Sequence, residues 1–305
     1  MERLRYSEWT DTALVLHLVS QMLGKTKLGH MEPQPEWGHS LLYLTENGFS
    51  TGLIPRDDSV LTIDIVLRES LVTATDSEGR SSGFAFMDGK PVSEYYARYA
   101  GMLREMGFEA DLYTVPQEMA TRAPFEQDTD KRYYDPRQAK AFYRMCVFAH
   151  NCLLRFASPF RGKKILPAFF WGTFDVTTVL FSGKPAPFGG KGLIEAAAFD
   201  EQLIEFGFWP GDPSWDEPSF FVLPYPFLTK DLTGAPVKPS SAYFSKEKAE
   251  FFLPLHEALA TANPAETVQD FLHSCFELLT REEGWERMDW FTMPLLAPRR
   301  GTAAG

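Results

Sequence analysis

From Trp9 to Leu23 the chain carries a helical stretch that is apolar almost all round. Ala13, Leu16 and Leu23 fall on one side, and Leu14, Val15, Leu18 and Met22 on the other. A helix with a single apolar stripe lies on a surface, whereas one with no polar face has to be covered on both sides. The fold must therefore supply layers around this helix, and Gly24 is its predicted stop. The polar exceptions within it include His17 and Gln21, four residues apart and so on one face. Leaving either unpaired in a buried helix costs about 1–3 kcal/mol. Two readings stand open: a hydrogen-bond network tying the helix to a strand, or a polar strip lining a pocket.

The segments that follow have the pattern of short strands. Ser40–Thr45 and Phe49–Ile54 flank the turn Glu46-Asn47-Gly48, and Val60–Leu67 alternates, with Leu61, Ile63, Ile65 and Leu67 on one face. Leu71–Thr75 and Gly83–Met87 form a hairpin pattern around Asp76–Gly79. Ser93–Met106 has helical spacing with Gly107 as its stop, and Phe108–Val115 is a further strand. Thr121–Asp135 is polar and proline-bounded, and marks the expected boundary between lobes. A long helix then starts at Pro136 and runs to about Phe156. Phe169–Asp175 is expected to be a strand that carries Trp171, Thr173, Asp175 and Thr177 on one face. Gly183–Pro218 is expected to be irregular apart from a helical patch at Glu195–Phe206. Phe220–Leu223 is a short strand, and Lys246–Ala262 and Ala265–Arg281 are terminal helices. The expected class is α+β: two closely packed lobes, residues 1–120 and 136–296, joined by 121–135, with mostly antiparallel sheets flanked by helices and a frayed tail at 297–305.

The totals narrow the function classes. A net charge of −11 with no compensating Lys/Arg cluster argues against nucleic acid or an anionic membrane as partner. The longest apolar run is too short to span a bilayer. Three cysteines without a CxxC pair are poor material for a disulfide framework and fit a reducing, cytoplasmic setting. Gly189-Gly190-Lys191-Gly192 lacks the spacing and the Ser/Thr of a phosphate-binding loop. No HxH, HExxH or cysteine pair points to a metal, and nothing names a cofactor.

Several motifs together resemble the uncharacterised family DUF5996: Leu16-His17-Leu18, Gln21, Gly24-Lys25, Leu42–Thr45 with Gly48, Ile54-Pro55, Phe169–Asp175, Phe181–Pro187 and Gly207-Phe208-Trp209-Pro210-Gly211. The ordered set runs from about Trp9 to Trp285. The resemblance implies no activity, cofactor or partner, since none is established for the family. The chain departs from the family pattern in two places. Relatives tend to carry a histidine just before Phe-Phe-Trp-Gly, where this chain has Ala168. They also tend to carry a His-Glu pair upstream of Gly-Phe-Trp-Pro-Gly, where this chain has Phe199-Asp200-Glu201-Gln202.

An aromatic wall beside a carboxylate and hydroxyls suits a small-molecule pocket. The candidate acid–base pair is His17, whose imidazole titrates near neutral pH, and Asp175, whose proton affinity rises if it is buried against Trp171. Gln21, His39, Trp171, Thr173, Trp209 and Glu217 are the candidate ligand contacts. Three functions are compatible with this pattern: an enzyme acting on a small polar molecule, a non-catalytic ligand-binding protein, and a structural or interaction protein whose aromatics are only core.

Overall fold

A computed structural model describes residues 3–109 and 111–295. The apolar helix is α1 (Thr10–His30), and it continues straight through its predicted stop. Gly24 serves close contact instead of termination: a Cβ there would collide with the Trp171 indole. Ala13, Val15, Leu16, Leu18, Val19, Met22 and Leu23 are all buried, so α1 is covered around its circumference.

The first sheet contains β1 (Tyr43–Leu44), β2 (Gly48–Ser50), β3 (Ile54–Arg56), β4 (Ser59–Val66), β5 (Leu71–Asp76) and β6 (Ser81–Ala85). Its antiparallel order is β1-β2-β4-β5-β6, with β3 also on β4. The alternation of β4 is as expected, with Leu61, Ile63 and Ile65 buried. The expected strand at Phe49–Ile54 is divided, because Gly52 takes a φ of +65° between β2 and β3. The β5–β6 turn closes on Asp76, whose Oδ1 accepts from the backbone N–H groups of Glu78 and Arg80. Next comes α2 (Val92–Glu105), after which Gly107 adopts a φ of +75°.

The expected strand at Phe108–Val115 is absent among the described residues there. Side chains of α1 hold the end of this segment and the residues after it instead. Lys25 Nζ donates to the Val115 carbonyl at 3.0 Å. Gln21 clasps Gln117 from both sides, donating to its carbonyl at 2.7 Å and accepting from its N–H at 2.9 Å.

The long helix is α3 (Pro136–Ala157), capped by Asp135, whose Oδ1 accepts from the Arg137 N–H at 2.8 Å. The remaining elements are β7 (Lys164–Phe170), β8 (Asp175–Pro185), α4 (Leu193–Ala198), β9 (Glu201–Trp209), β10 (Ser219–Tyr225), β11 (Tyr243–Ser245), β12 (Glu250–Pro254), α5 (Leu255–Leu259), α6 (Pro264–Glu282) and α7 (Met288–Phe291). The second sheet is antiparallel in the order β11-β12-β10-β9-β8-β7.

Three sequence expectations are corrected here. Phe169–Asp175 is a hairpin, not one strand. The helical patch at Glu195–Phe206 is a short helix followed by the central strand β9. Lys246–Ala262 holds the turn after β11 and then β12, with only Leu255–Leu259 helical. The cause is shared by the last two: Leu203, Ile204, Phe206 and Phe208 on β9, like Phe251, Phe252 and Leu253 on β12, are buried on both faces of the sheet. An apolar run covered on both faces shows no period of two.

The sheets meet at one bridge, where Leu42 N–H donates to the Phe169 carbonyl at 3.1 Å and Phe169 N–H to the Leu42 carbonyl at 2.7 Å. One buried apolar cluster takes residues from both sheets and from α1, α2, α3 and α6. The second sheet lays one face on α3 and α6 and turns the other toward a cavity. Among the described residues, no helix is long and apolar enough to cross a membrane. The tail expected to fray, residues 297–305, lies outside the described residues.

Two glycines on α1 test this packing. Gly24→Ala should destabilise the protein by about 1–3 kcal/mol through overpacking against Trp171. Gly29 has open space at its Cβ position, so Gly29→Ala should stabilise by about 0.5–1 kcal/mol from helix propensity alone. Urea unfolding midpoints of the two variants should therefore move in opposite directions.

Candidate functional site

The site is built around the β7–β8 turn. Phe170 pairs with Asp175, and Trp171–Phe174 lie between them, with Phe174 at a φ of +65° and its N–H donating to the Phe170 carbonyl at 2.8 Å. Three contacts fix this turn to its surroundings. The Trp171 indole lies against Gly24, and its Nε1 donates to the Ser40 carbonyl at 2.9 Å. His17 Nε2 donates to the Gly172 carbonyl at 2.9 Å. The imidazole also stacks on Phe174, with centroids 4.6 Å apart. Burial drives the His17 pKa down to about 4 despite the Gly172 and Trp171 backbone beside it, so the ring is neutral at physiological pH.

Beside the turn lies a cavity of about 670 Å³, within the size range of small-molecule sites. Of the residues singled out in the sequence, His17, Trp171, Thr173, Asp175 and Trp209 line it. Gln21, His39 and Glu217 do not. Gln21 holds Gln117, and so positions the neighbouring Glu118. His39 Nδ1 accepts from the Gln34 N–H at 3.1 Å. Glu217 is paired with Arg3 at 3.0 Å and with His256 at 2.8 Å. Of the positions where the chain departs from the family pattern, Phe199 lines the cavity, whereas Ala168 is buried opposite Thr177, Glu201 pairs with Lys163, and Gln202 donates to the Glu283 carbonyl.

Four carboxylates dominate the cavity. Asp175 is buried, and the hydroxyls of Thr173 and Thr177 each donate to one of its oxygens. Burial raises its pKa to about 6 against the pull of those two donors. Glu205, in the middle of β9, is pushed up to about 8 by burial and then by the charges of Asp175, Glu250 and Glu118. Burial likewise lifts Glu250 to about 7, with Lys248 opposing and Asp175 adding. Glu118 rises to about 7 from burial and from Asp175 and Glu195, although it stands at the exposed rim, where solvent screens it most. Its carboxylate rests where a Cβ on Gly172 would be, so that glycine admits it. Gly207 performs the same service for the Phe221 ring and the Thr177 hydroxyl.

The far wall is closed by α4. Trp37 Nε1 donates to the Ile194 carbonyl at 3.0 Å, and Glu36 beside it is held by Lys163 at 2.5 Å. Both Glu36 and Trp37 have positive φ, 50° and 56°, which a non-glycine residue adopts only where its surroundings compel it.

Glu118, Glu205, Glu250 and Trp37 were not singled out from the sequence. The available signal was a lone acid inside an apolar run: Glu205 in Leu203–Phe208, and Glu250 just before Phe251-Phe252-Leu253. Assigning these runs to helices concealed that both acids point from a sheet into one cavity. Among the described residues, no group of three or more His, Cys, Asp or Glu side chains is placed to hold a metal ion.

The chain matches the profile of DUF5996, a family of unknown function, over residues 1–291. No curated protein and no solved structure matches it significantly.

The raised carboxylates fix the sign of a pH effect. Each binds its proton more tightly in the folded than in the unfolded chain, so between about pH 4 and pH 8 folding takes up protons. Stability should therefore fall as pH rises through that window. Melting temperatures measured from about pH 5.5 to pH 8 should decline, and Glu205→Gln should flatten the upper part of the curve. A curve for wild type that rises across this range would contradict the assignment.

Proposed function

The chain belongs to DUF5996, and for this member we propose a small-molecule site in which carboxylates carry the acid–base chemistry. The substrate is a polar organic molecule small enough for the cavity. The observation that carries this reading is the contrast between Asp175 and Glu205. Both face one cavity, but Asp175 is solvated by two threonine hydroxyls, while the residues paired with Glu205 across the sheet, Val179 and Leu223, are apolar. Environments that push two carboxyl groups apart in proton affinity supply one base and one acid at the same pH. Near neutrality Asp175 is the base and Glu205 the acid, with pKa values of about 6 and about 8.

This moves the proton-transfer role away from His17. Its Nε2 is committed to the Gly172 carbonyl and its charge is suppressed, so it acts by holding the turn that presents Asp175. The aromatic walls provide contact area, and α4, tied to Trp37, forms a further wall.

The test begins with a thermal-shift screen of polar metabolites. Each binder is then incubated with the protein in deuterated buffer and followed by NMR for conversion or for deuterium uptake at carbon. Turnover should fall by about 100-fold or more in Asp175→Asn and in Glu205→Gln, the scale of general acid–base catalysis. Both variants should retain measurable binding, so that the loss of turnover at saturating ligand is separated from any loss of affinity. Ligands that bind without exchange or conversion would leave a binding protein and remove the enzymatic reading.

A further inference from the structure

We infer that the molecule taken up by this cavity is an organic cation, an ammonium or guanidinium group on an apolar body. The inference rests on the small-molecule reading above and names the class of ligand. Its first support is the charge of the lining. Glu118, Asp175, Glu195, Glu205, Asp212 and Glu250 face the cavity, against one cation, Lys248. Glu36 also contributes, but Lys163 already holds it.

The second support is Glu205 by itself. It is enclosed by protein except toward the cavity, and among the described residues its carboxylate has neither a hydrogen-bond nor an ion-pair partner. The register of β9 places it between Val179 on β8 and Leu223 on β10, neither of which has a side-chain donor. Glu205 is only partly buried and its oxygens are reached from the cavity, so whatever occupies the cavity is the partner its carboxylate has.

Several charged groups buried outside the cavity do have partners. Lys25 donates to the Val115 carbonyl and to Gln117 Oε1, Lys27 to the Leu41 carbonyl, and Arg132 makes a two-pronged contact with Asp128. An anion entering the cavity would meet like charge at every wall. A neutral donor could hydrogen-bond to the carboxylates but would leave their charges uncompensated. A cation answers both requirements.

The aromatic walls suit the same ligand. Trp209, Phe221 and Phe252 stand beside the carboxylates, and a cation over an aromatic face gains about 0.5–2 kcal/mol. Lys248 Nζ lies 5.6 Å from the Trp209 ring centroid, so this wall already accepts positive charge. Deeper along the sheet, Val179, Phe181 and Leu203 form a small apolar cluster, with Phe199 packed on it, where an apolar body fits.

Charge pairing also couples binding to protons. The groups facing Glu205 are Asp175 from β8, Glu250 and Lys248 from β12 and its preceding turn, Glu118 at the rim, Glu195 from α4 and the neutral His17 from α1. A bound cation favours the ionised form of each carboxylate, so uptake releases protons and tightens as pH rises from about 6 to 8. The same shift brings Glu205 into the range where it exchanges a proton with the substrate at neutral pH.

The experiment is isothermal titration of the full chain with four matched probes: 2-phenylethylamine, phenylethylguanidine, 2-phenylethanol and 3-phenylpropionate. One or both cations should bind at least about tenfold more tightly than the alcohol, and the acid should not bind. Repeating the titration in buffers of different ionisation enthalpy should show proton release. Glu205→Gln should weaken the cation about tenfold or more and leave the alcohol unchanged. If that variant fails to fold, Glu250→Gln and the wild-type proton release carry the same test. Equal affinity for amine and alcohol, or preference for the acid, overturns the cationic ligand and leaves the small-molecule site standing. If none of the four probes binds, the cationic inference fails, and the small-molecule reading is then decided by the metabolite screen alone.

Discussion

The structure depends on a close contact between the Trp171 indole and the backbone of α1 at Gly24. A side chain at that position would hold the β7–β8 turn away from the helix. Without one, the indole reaches across and donates to the Ser40 carbonyl, just before the Leu42–Phe169 bridge that joins the two sheets. One glycine thus lets a single ring touch the central helix, the entrance to the first sheet and the end of the first hairpin of the second. Three buried rings, Phe142, Phe169 and Phe174, pack beside it and complete the joint.

The same joint sets the candidate site. Asp175 is the first residue after the turn, so whatever fixes Trp171–Phe174 also fixes the carboxylate. His17 contributes through the Gly172 carbonyl and by stacking on Phe174. Gln21, one turn further along the helix, anchors the segment that carries Glu118, and Gly172 leaves room for that carboxylate. His17 and Gln21 therefore act through backbone groups, and between them they position two cavity carboxylates from different parts of the chain.

How much of this was legible in the sequence follows the burial of each element. Strand β4, half-covered, showed its period of two and was read closely to its bounds. The amphipathic α2 showed helical spacing and its stop at Gly107, and α3 showed Pro136 at its first turn. Gly24 misled because stop signal and close-contact glycine look alike in a sequence. Strands β9 and β12, covered on both faces, gave apolar runs whose period was invisible. Site residues followed the same division. Asp175 and Trp171 stood out beside an aromatic run. Glu205 and Glu250 became meaningful only once β8, β9 and β12 were placed in one sheet. Glu217 was an acid in a loop, and its partners Arg3 and His256 are too distant in the chain to be anticipated.

The placing of buried charge separates function from architecture in this molecule. Lys25 and Lys27 lie on the same helix as His17, yet their ammonium groups turn to backbone carbonyls and away from the cavity acids. Had either reached Asp175 or Glu205, it would have paired with that carboxylate and held its proton affinity down. With only two threonine hydroxyls on Asp175, and with the apolar Val179 and Leu223 paired beside Glu205, both acids stay raised. A fold that only needed a stable interior would gain by filling the Glu205 position with a hydrophobic side chain, because unpaired buried charge is destabilising. Keeping an acid there, on the central strand and open only to the cavity, makes sense when the compensating charge or proton comes with a bound molecule.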